Sequence, residues 1–193
     1  MTEIPVIGRI SHNDLKTNTV VFDDPDSAKA EAFRLLRSRM QFITKDATSP
    51  VILVTSSAPE DGKTYISINL ASAYSLLGKK TIIIGFDLRK PKIFQDFNLN
   101  NDKGVSTYLI GQDDLEKVIM KTSYENLSVI PGGPIPPNPS ELIALEKTKL
   151  LLNSLKERYD FIIVDTPPLG IVSDTFHLAS LADACLIVVR PGH

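Results

Sequence analysis

Four uninterrupted apolar runs limit the architectures open to this chain. They are VILV at 51–54, TIII at 81–84, FIIV at 161–164 and CLIVV at 185–189. A strand with one face in water alternates apolar and polar residues, whereas these runs do not, so both of their faces must be covered. Between them lie stretches with helical periodicity. Alternating buried strands and helices describe a mostly parallel sheet with helices on both faces. Ligand sites in such sheets form beyond the carboxyl ends of the strands. Three of the runs end in polar clusters, SSAPEDGKT, GFDLRKP and DTPP, which are therefore expected to converge.

Composition narrows the function classes. At 193 residues and 42% apolar content the chain can bury one sizeable core. A net charge of −2 supplies no basic field for nucleic acid. The single cysteine, Cys185, has no disulfide partner within the chain, and its setting in ADACLIVV predicts a buried packing thiol suited to a reducing cytoplasm. No apolar run approaches the roughly 18 residues of a membrane-spanning helix, so the chain as it stands is expected to be soluble.

Two parts are expected. Residues 1–25 read as an extended linker, IPVIGRI followed by a polar loop, and residues 26–193 as the domain. Asp26 or Ser27 can cap a helix carrying Phe33, Leu36, Met40 and Ile43 on one stripe. ISINLASAYSLL predicts a helix stopped by Gly78, and YLIGQDDLEKVIM another, before the strand NLSVI. In PPNPSELI, Asn138 suits the N-cap, Pro139 the first helical position and Glu141 the third, opening one helix through SELIALEKTKLLLNSLKERY. His177, in the helix SDTFHLASLA, reads as a surface or packing residue.

SSAPEDGKTY, residues 56–65, nearly matches the phosphate-loop pattern Gly-x4-Gly-Lys-Ser/Thr. Gly62, Lys63 and Thr64 stand in place, while Ser57 occupies the position of the first glycine. A strand before and a helix after supply the context in which backbone amides and a helix N-terminus cradle phosphate. The nucleotide-binding candidates are Ser57, Ala58, Pro59, Glu60, Asp61, Gly62, Lys63, Thr64 and Tyr65. The β-phosphate is expected on the amides of residues 59–64, with the Glu60 and Asp61 carboxylates turned outward. Lys63 adds a point charge, and the Thr64 hydroxyl can reach Mg²⁺. Asp165, ending a buried strand, can steer the same ion. Asp87 can approach metal and phosphate, and Arg89 can anchor its strand end or touch phosphate.

Together these motifs resemble those of the bacterial protein-tyrosine kinases of the polysaccharide co-polymerase type. SSAPEDGKTYISINLA is similar to that family's Walker A motif, IIIGFDLRKP to its second acidic motif and FIIVDTPPLGIVSD to its Walker B. Glu31-x-x-Arg34-x-x-Arg37 is similar to its oligomerisation motif. The resemblance implies a P-loop NTPase-like, MinD-related fold. It implies ATP- and Mg²⁺-dependent autophosphorylation of a tyrosine-rich tail, passed between neighbours in a ring. Lys63, Asp87 and Asp165 then become the catalytic residues, and Thr64, Asp87 and Asp165 the metal ligands. It further implies a membrane co-polymerase segment and a tyrosine phosphatase as partners. The location implied is the cytoplasmic side of the bacterial inner membrane, with IPVIGRI following a membrane helix and Met1 an added start.

Two departures qualify what is implied. The family carries an Asp at both acidic positions of the second motif, and Gly85 stands at the first. The acceptor tail is expected beyond His193 or lost, because Tyr65, Tyr74, Tyr108, Tyr124 and Tyr159 are scattered. One alternative is a catalytically weakened nucleotide-binding scaffold of polysaccharide export. Another is a MinD/ParA-like ATPase, although those proteins carry an extra lysine where this chain has Ala58. Residues 189–193 are the expected neighbourhood of the adenine.

Overall fold

The computed structural model describes residues 4–13, 17–169 and 174–191. Its strands are β1 (Val51–Ser56), β2 (Thr81–Gly85), β3 (Met120–Lys121), β4 (Leu127–Ile130), β5 (Phe161–Asp165) and β6 (Ala184–Val188). Among the described residues they form one sheet in the order β3-β4-β2-β5-β1-β6. Pairing is parallel except between β3 and β4. The mostly parallel, helix-covered sheet expected from the apolar runs is present.

Side chains along each strand alternate between two cores. Ile52, Val54, Ile83 and Ile163 face one, and Val51, Leu53, Ile82, Ile84, Ile162 and Val164 the other. Over the first lie α1 (Val20–Asp23), α2 (Ala28–Ile43) and α3 (Lys63–Ser75). Over the second lie α5 (Val105–Leu109), α7 (Pro139–Ile143), α8 (Glu146–Lys156) and α9 (Asp174–Ala179). The short helices α4 (Ile93–Asp96) and α6 (Leu115–Val118) close the connections. Burying a side chain such as Phe33 or Ile83 contributes about 1.5–3 kcal/mol, so the unbroken apolar runs hold both layers.

Ser27 is the N-cap of α2, its hydroxyl accepting the Ala30 amide at 3.1 Å. Phe33, Leu36 and Met40 are buried as the stripe predicts, but Ile43 is 49% exposed in the last turn. Gly78, at φ 77°, ends the α3 segment in the left-handed conformation that favours glycine.

Other expectations give way. The span assigned to an extended linker contains α1, whose Val20 and Val21 are fully buried. Asn69 of α3 holds this segment, accepting the Val21 amide at 3.0 Å and donating to the Asn18 carbonyl at 2.7 Å. The Phe22 ring stacks on Tyr124 at 3.7 Å. The packed unit therefore begins ahead of residue 26. The helix expected through residues 139–159 breaks at Leu145, whose extended backbone (φ −64°, ψ 144°) restarts it as α8. Asn138 makes no side-chain cap, although Pro139 does open α7. YLIGQDDLEKVIM divides into the end of α5 and α6 around Gly111, at φ 80°. Cys185 is exposed, because β6 is the sheet's edge strand and only alternate residues, led by Leu186, face the first core.

Candidate functional site

The strand order places β5 between β2 and β1, so the three polar strand ends are adjacent. Val54 of β1 and Gly85 of β2 both pair in register with Asp165. A parallel sheet puts all three carboxyl ends on one rim, and the loops after them meet there.

At that rim β1 runs through the phosphate-type loop into α3. Gly62 is the N-cap of α3 at φ 96°, a left-handed conformation, and Glu60 also has positive φ, 67°. The Glu60 side chain is exposed, as expected. Asp61 is not: it is 8% exposed, and its carboxylate turns back into the loop. Its Oδ2 accepts from the Ser57 hydroxyl and from the Ala58 amide, each at 2.8 Å. The expected set of phosphate donors shrinks accordingly, since Ala58 N–H is engaged and Pro59 has no N–H to give. Amides 60 to 64 are left. Tyr65 turns its ring to Phe33 of α2, centroids 5.5 Å apart, so that side chain serves packing.

Lys63, Thr64, Asp87 and Asp165 do come together. Thr64 Oγ1 donates to Asp165 Oδ2 at 2.9 Å, and Lys63 Nζ lies 3.3 Å from Asp87 Oδ2. The Lys90 amide steadies the other Asp87 oxygen at 3.1 Å. Asp165 is buried, and burial pushes its pKa up to about 6. Lys63 and the Thr64 and Ser67 hydroxyls work against that rise, while the neighbouring Asp87 charge adds to it. Ser67 escaped the sequence reading. Its hydroxyl lies 3.0 Å from Asp165 Oδ1 and 3.0 Å from the Lys63 carbonyl. Its spacing three residues after Thr64 on one helix face was the available signal.

The donor set is that of a hard divalent cation: two carboxylates and a hydroxyl. Because Thr64 spends its proton on Asp165, its oxygen lone pairs remain for such an ion. Two acids held close in a buried setting also favour a cation over mutual repulsion. These residues fit Mg²⁺.

Arg89 is a strand-end anchor. Its Nε lies 3.3 Å from Asp174 Oδ2 and its Nη2 donates to Ser140 Oγ at 2.8 Å, tying β2's loop to α9 and α7. Gly85 is buried, and a Cβ there would sit 3.1 Å from Ile93 Cγ2 and 3.3 Å from the Gly132 amide. Glu31 and Arg34 pair at 2.8 Å on the outer face of α2. Arg37 is turned inward, donating to the Ala73 carbonyl at 2.9 Å, so it serves this fold directly. His177 is exposed. Of the expected adenine neighbourhood, Gly192 and His193 lie outside the described residues, as do Gly170–Ser173 of the third motif.

A family model described as an AAA domain matches residues 51–193. YwqD, a tyrosine-protein kinase of Bacillus subtilis, is 33% identical over 178 residues, 92% of this chain and 75% of its own. The kinase domain of the Escherichia coli tyrosine kinase Etk superposes with a TM-score of 0.88 at 34% identity, covering 94% of this chain and 71% of that one. This chain belongs to the bacterial tyrosine-kinase family. The structure of the chimerical protein CapA2B2 is similar to it as well, with a TM-score of 0.92, 37% identity, and coverage of 98% of this chain and 82% of that one. Bacterial tyrosine kinases differ widely in length around this unit: the chain spans 23% of full-length Etk. The MinD relationship holds at the level of fold, with a TM-score of 0.65 to the Pyrococcus furiosus cell-division ATPase. Among the described residues, no helix is long and apolar enough to cross a membrane.

Proposed function

We propose that this chain is the catalytic unit of an ATP- and Mg²⁺-dependent protein-tyrosine autokinase. The observation that carries the reading is the meeting of Lys63, Thr64, Asp87 and Asp165 on one rim, supplied by three separate motifs. Amides 60 to 64 and the α3 N-terminus hold the phosphates, with Lys63 as the mobile charge. Thr64, Asp87 and Asp165 hold Mg²⁺, which when bound neutralises charge developing on the phosphoryl oxygens. Asp87, oriented by the Lys90 amide, also accepts the proton of the tyrosine hydroxyl. A general base contributes about 10²–10⁴-fold, while positioning and charge neutralisation supply most of the rest.

In the cell the unit works in a ring at the cytoplasmic side of the inner membrane. There it phosphorylates a tyrosine-rich tail and regulates capsular or exopolysaccharide polymerisation together with a membrane co-polymerase and a tyrosine phosphatase. The exposed Glu31–Arg34 pair is the part of the assembly motif free to meet a neighbour.

Gly85 favours one second reading, a nucleotide-binding scaffold with weakened chemistry, because its crowded surroundings leave little room for the expected acid. Incubation with labelled ATP, Mg²⁺ and a Glu-Tyr copolymer separates the two. Phosphotyrosine that disappears in Lys63→Met supports the kinase. Tight nucleotide binding without phosphotyrosine supports the scaffold and sinks the kinase.

A further inference from the structure

The phosphate-type loop departs from its pattern twice, and one residue answers both departures. Ser57 replaces the opening glycine, and Glu60 takes a left-handed φ of 67° that a non-glycine residue adopts at a cost. Such a conformation persists only where its surroundings over-determine it. Here Asp61, flanked by Glu60 and by Gly62 at φ 96°, reaches back across the loop. One oxygen, Oδ2, accepts both the Ser57 hydroxyl and the Ala58 amide at 2.8 Å. Next to it, the Ser56 hydroxyl donates to the Ala58 carbonyl at 2.7 Å, so Ala58 is held at both of its backbone polar groups. The other oxygen of Asp61, Oδ1, is buried without a hydrogen-bond partner.

Placing a carboxylate at nine-tenths burial inside a loop built for anions is unfavourable unless it does something there. A charge alone would repel phosphate. A clasp instead preforms the cradle: it fixes the Ser57–Asp61 ring and thereby the direction of the amides that follow. We propose that Asp61 is a positioning residue that holds the phosphate loop in its binding conformation before nucleotide arrives, and that Ser57 is its partner in place of glycine flexibility. The proposal rests on the nucleotide-binding reading for its consequence, though the clasp itself is a property of the free protein. Asp61 does this through the backbone and touches no reacting atom. Clasp and charge predict different outcomes for two substitutions that both remove the charge: a clasp separates them, and a charge alone makes them equal. Asp61→Asn keeps an acceptor oxygen for both donors, whereas Asp61→Ala removes the acceptor as well.

The test has two arms on the whole chain. In the first, amide hydrogen exchange at Ala58 is followed without nucleotide. It should be protected in the parent chain and in Asp61→Asn, and about tenfold faster or more in Asp61→Ala, as expected for loss of bonds to a charged acceptor. In the second, calorimetry measures binding of ADP with Mg²⁺. Asp61→Asn should bind as well as the parent or better, and Asp61→Ala about tenfold more weakly, equal to about 1.4 kcal/mol. If Asp61→Ala matches Asp61→Asn in both arms, the clasp is overturned and the carboxylate is only a charge. Should Asp61→Ala fail to fold, Ser57→Ala takes its place, with faster Ala58 exchange and roughly 2–5-fold weaker binding expected. Unchanged values there overturn the proposal equally. A parent chain that binds no ADP with Mg²⁺ overturns the nucleotide reading instead, and the exchange arm then decides the clasp by itself.

Discussion

Lys63 Nζ lies 3.3 Å from Asp87 Oδ2, with both side chains about six-sevenths buried at 16% and 14% exposure. Without ligand, the cation that should meet phosphate and the acid that should meet metal or a tyrosine hydroxyl neutralise each other. On the function proposed above, nucleotide and Mg²⁺ would exchange this pair for two new ones, phosphate with Lys63 and metal with Asp87.

That exchange predicts opposite effects of Asp87→Asn under two conditions. In EDTA, Lys63 is released and ADP should bind roughly 3–10-fold more tightly, as expected when an opposing charge is removed in a medium of intermediate dielectric. With Mg²⁺ and an acceptor, phosphotyrosine formation should fall by about 10²–10⁴-fold. Calorimetry and labelled-ATP assays read the two arms. Weaker binding in EDTA would show that the pair helps rather than competes.

Asp165 gives a pH signature to the metal-free protein. Its pKa is raised to about 6 chiefly by burial, above the ordinary carboxylate value in the unfolded chain. The folded state therefore holds a proton that the unfolded state has lost between about pH 4 and 6. Stability should fall as pH rises through that window and level off above it. By linkage the drop is on the order of 2–3 kcal/mol. Melting curves from pH 4 to 7 should show this slope in the parent chain and lose it in Asp165→Asn. A slope identical in both would remove Asp165 as its source.

Gly85→Asp places the acid that the family resemblance implies at a crowded position. Ile93 and the Gly132 amide must give by a few tenths of an ångström, and a third carboxylate would join Asp87, two residues past the end of β2, and Asp165, the partner of residue 85 on β5. We expect the variant to lose about 1–3 kcal/mol in EDTA and to regain much of it when Mg²⁺ is added. Thermal melts with and without Mg²⁺ measure this. A loss that Mg²⁺ does not relieve would place the new acid outside the metal's reach.

The two arginines of the assembly motif should separate. Arg37→Ala removes the donor to the Ala73 carbonyl and should cost about 1–2 kcal/mol, or a few degrees of melting temperature, at any protein concentration. Arg34→Ala touches only the exposed Glu31 pair and the Pro25 carbonyl, and should leave the melting temperature within about a degree. If Arg34 contacts a neighbouring subunit, its loss lowers the mass seen by light scattering of the assembled protein. An unchanged mass would limit Glu31 and Arg34 to an ordinary surface pair.

The sheet and the convergence of its three polar strand ends were legible because each rests on local pattern. Continuous apolar runs require cover on both faces, and strand-loop-helix around GKT defines where amides point. Less was legible where one contact between distant segments decided the outcome. No residue near Leu145 signals a break, since neither Gly nor Pro is there. Cys185 sits in a run as apolar as any central strand, and only the edge position of β6 leaves it exposed. Val20 and Val21 look like linker residues until Asn69, far along the chain, fixes their backbone.

From the order of its residues alone this protein is committed to a covered parallel sheet with a phosphate-loop-type motif and acidic motifs at three strand ends. Hydrophobic periodicity and turn chemistry act over a few residues, so they can be read directly. Folding in three dimensions decided which side chains those motifs present: Asp61 turned into its own loop, Arg37 spent on α3, Ser67 recruited to Asp165. Those choices depend on hydrogen-bond partners that only packing brings within 3 Å.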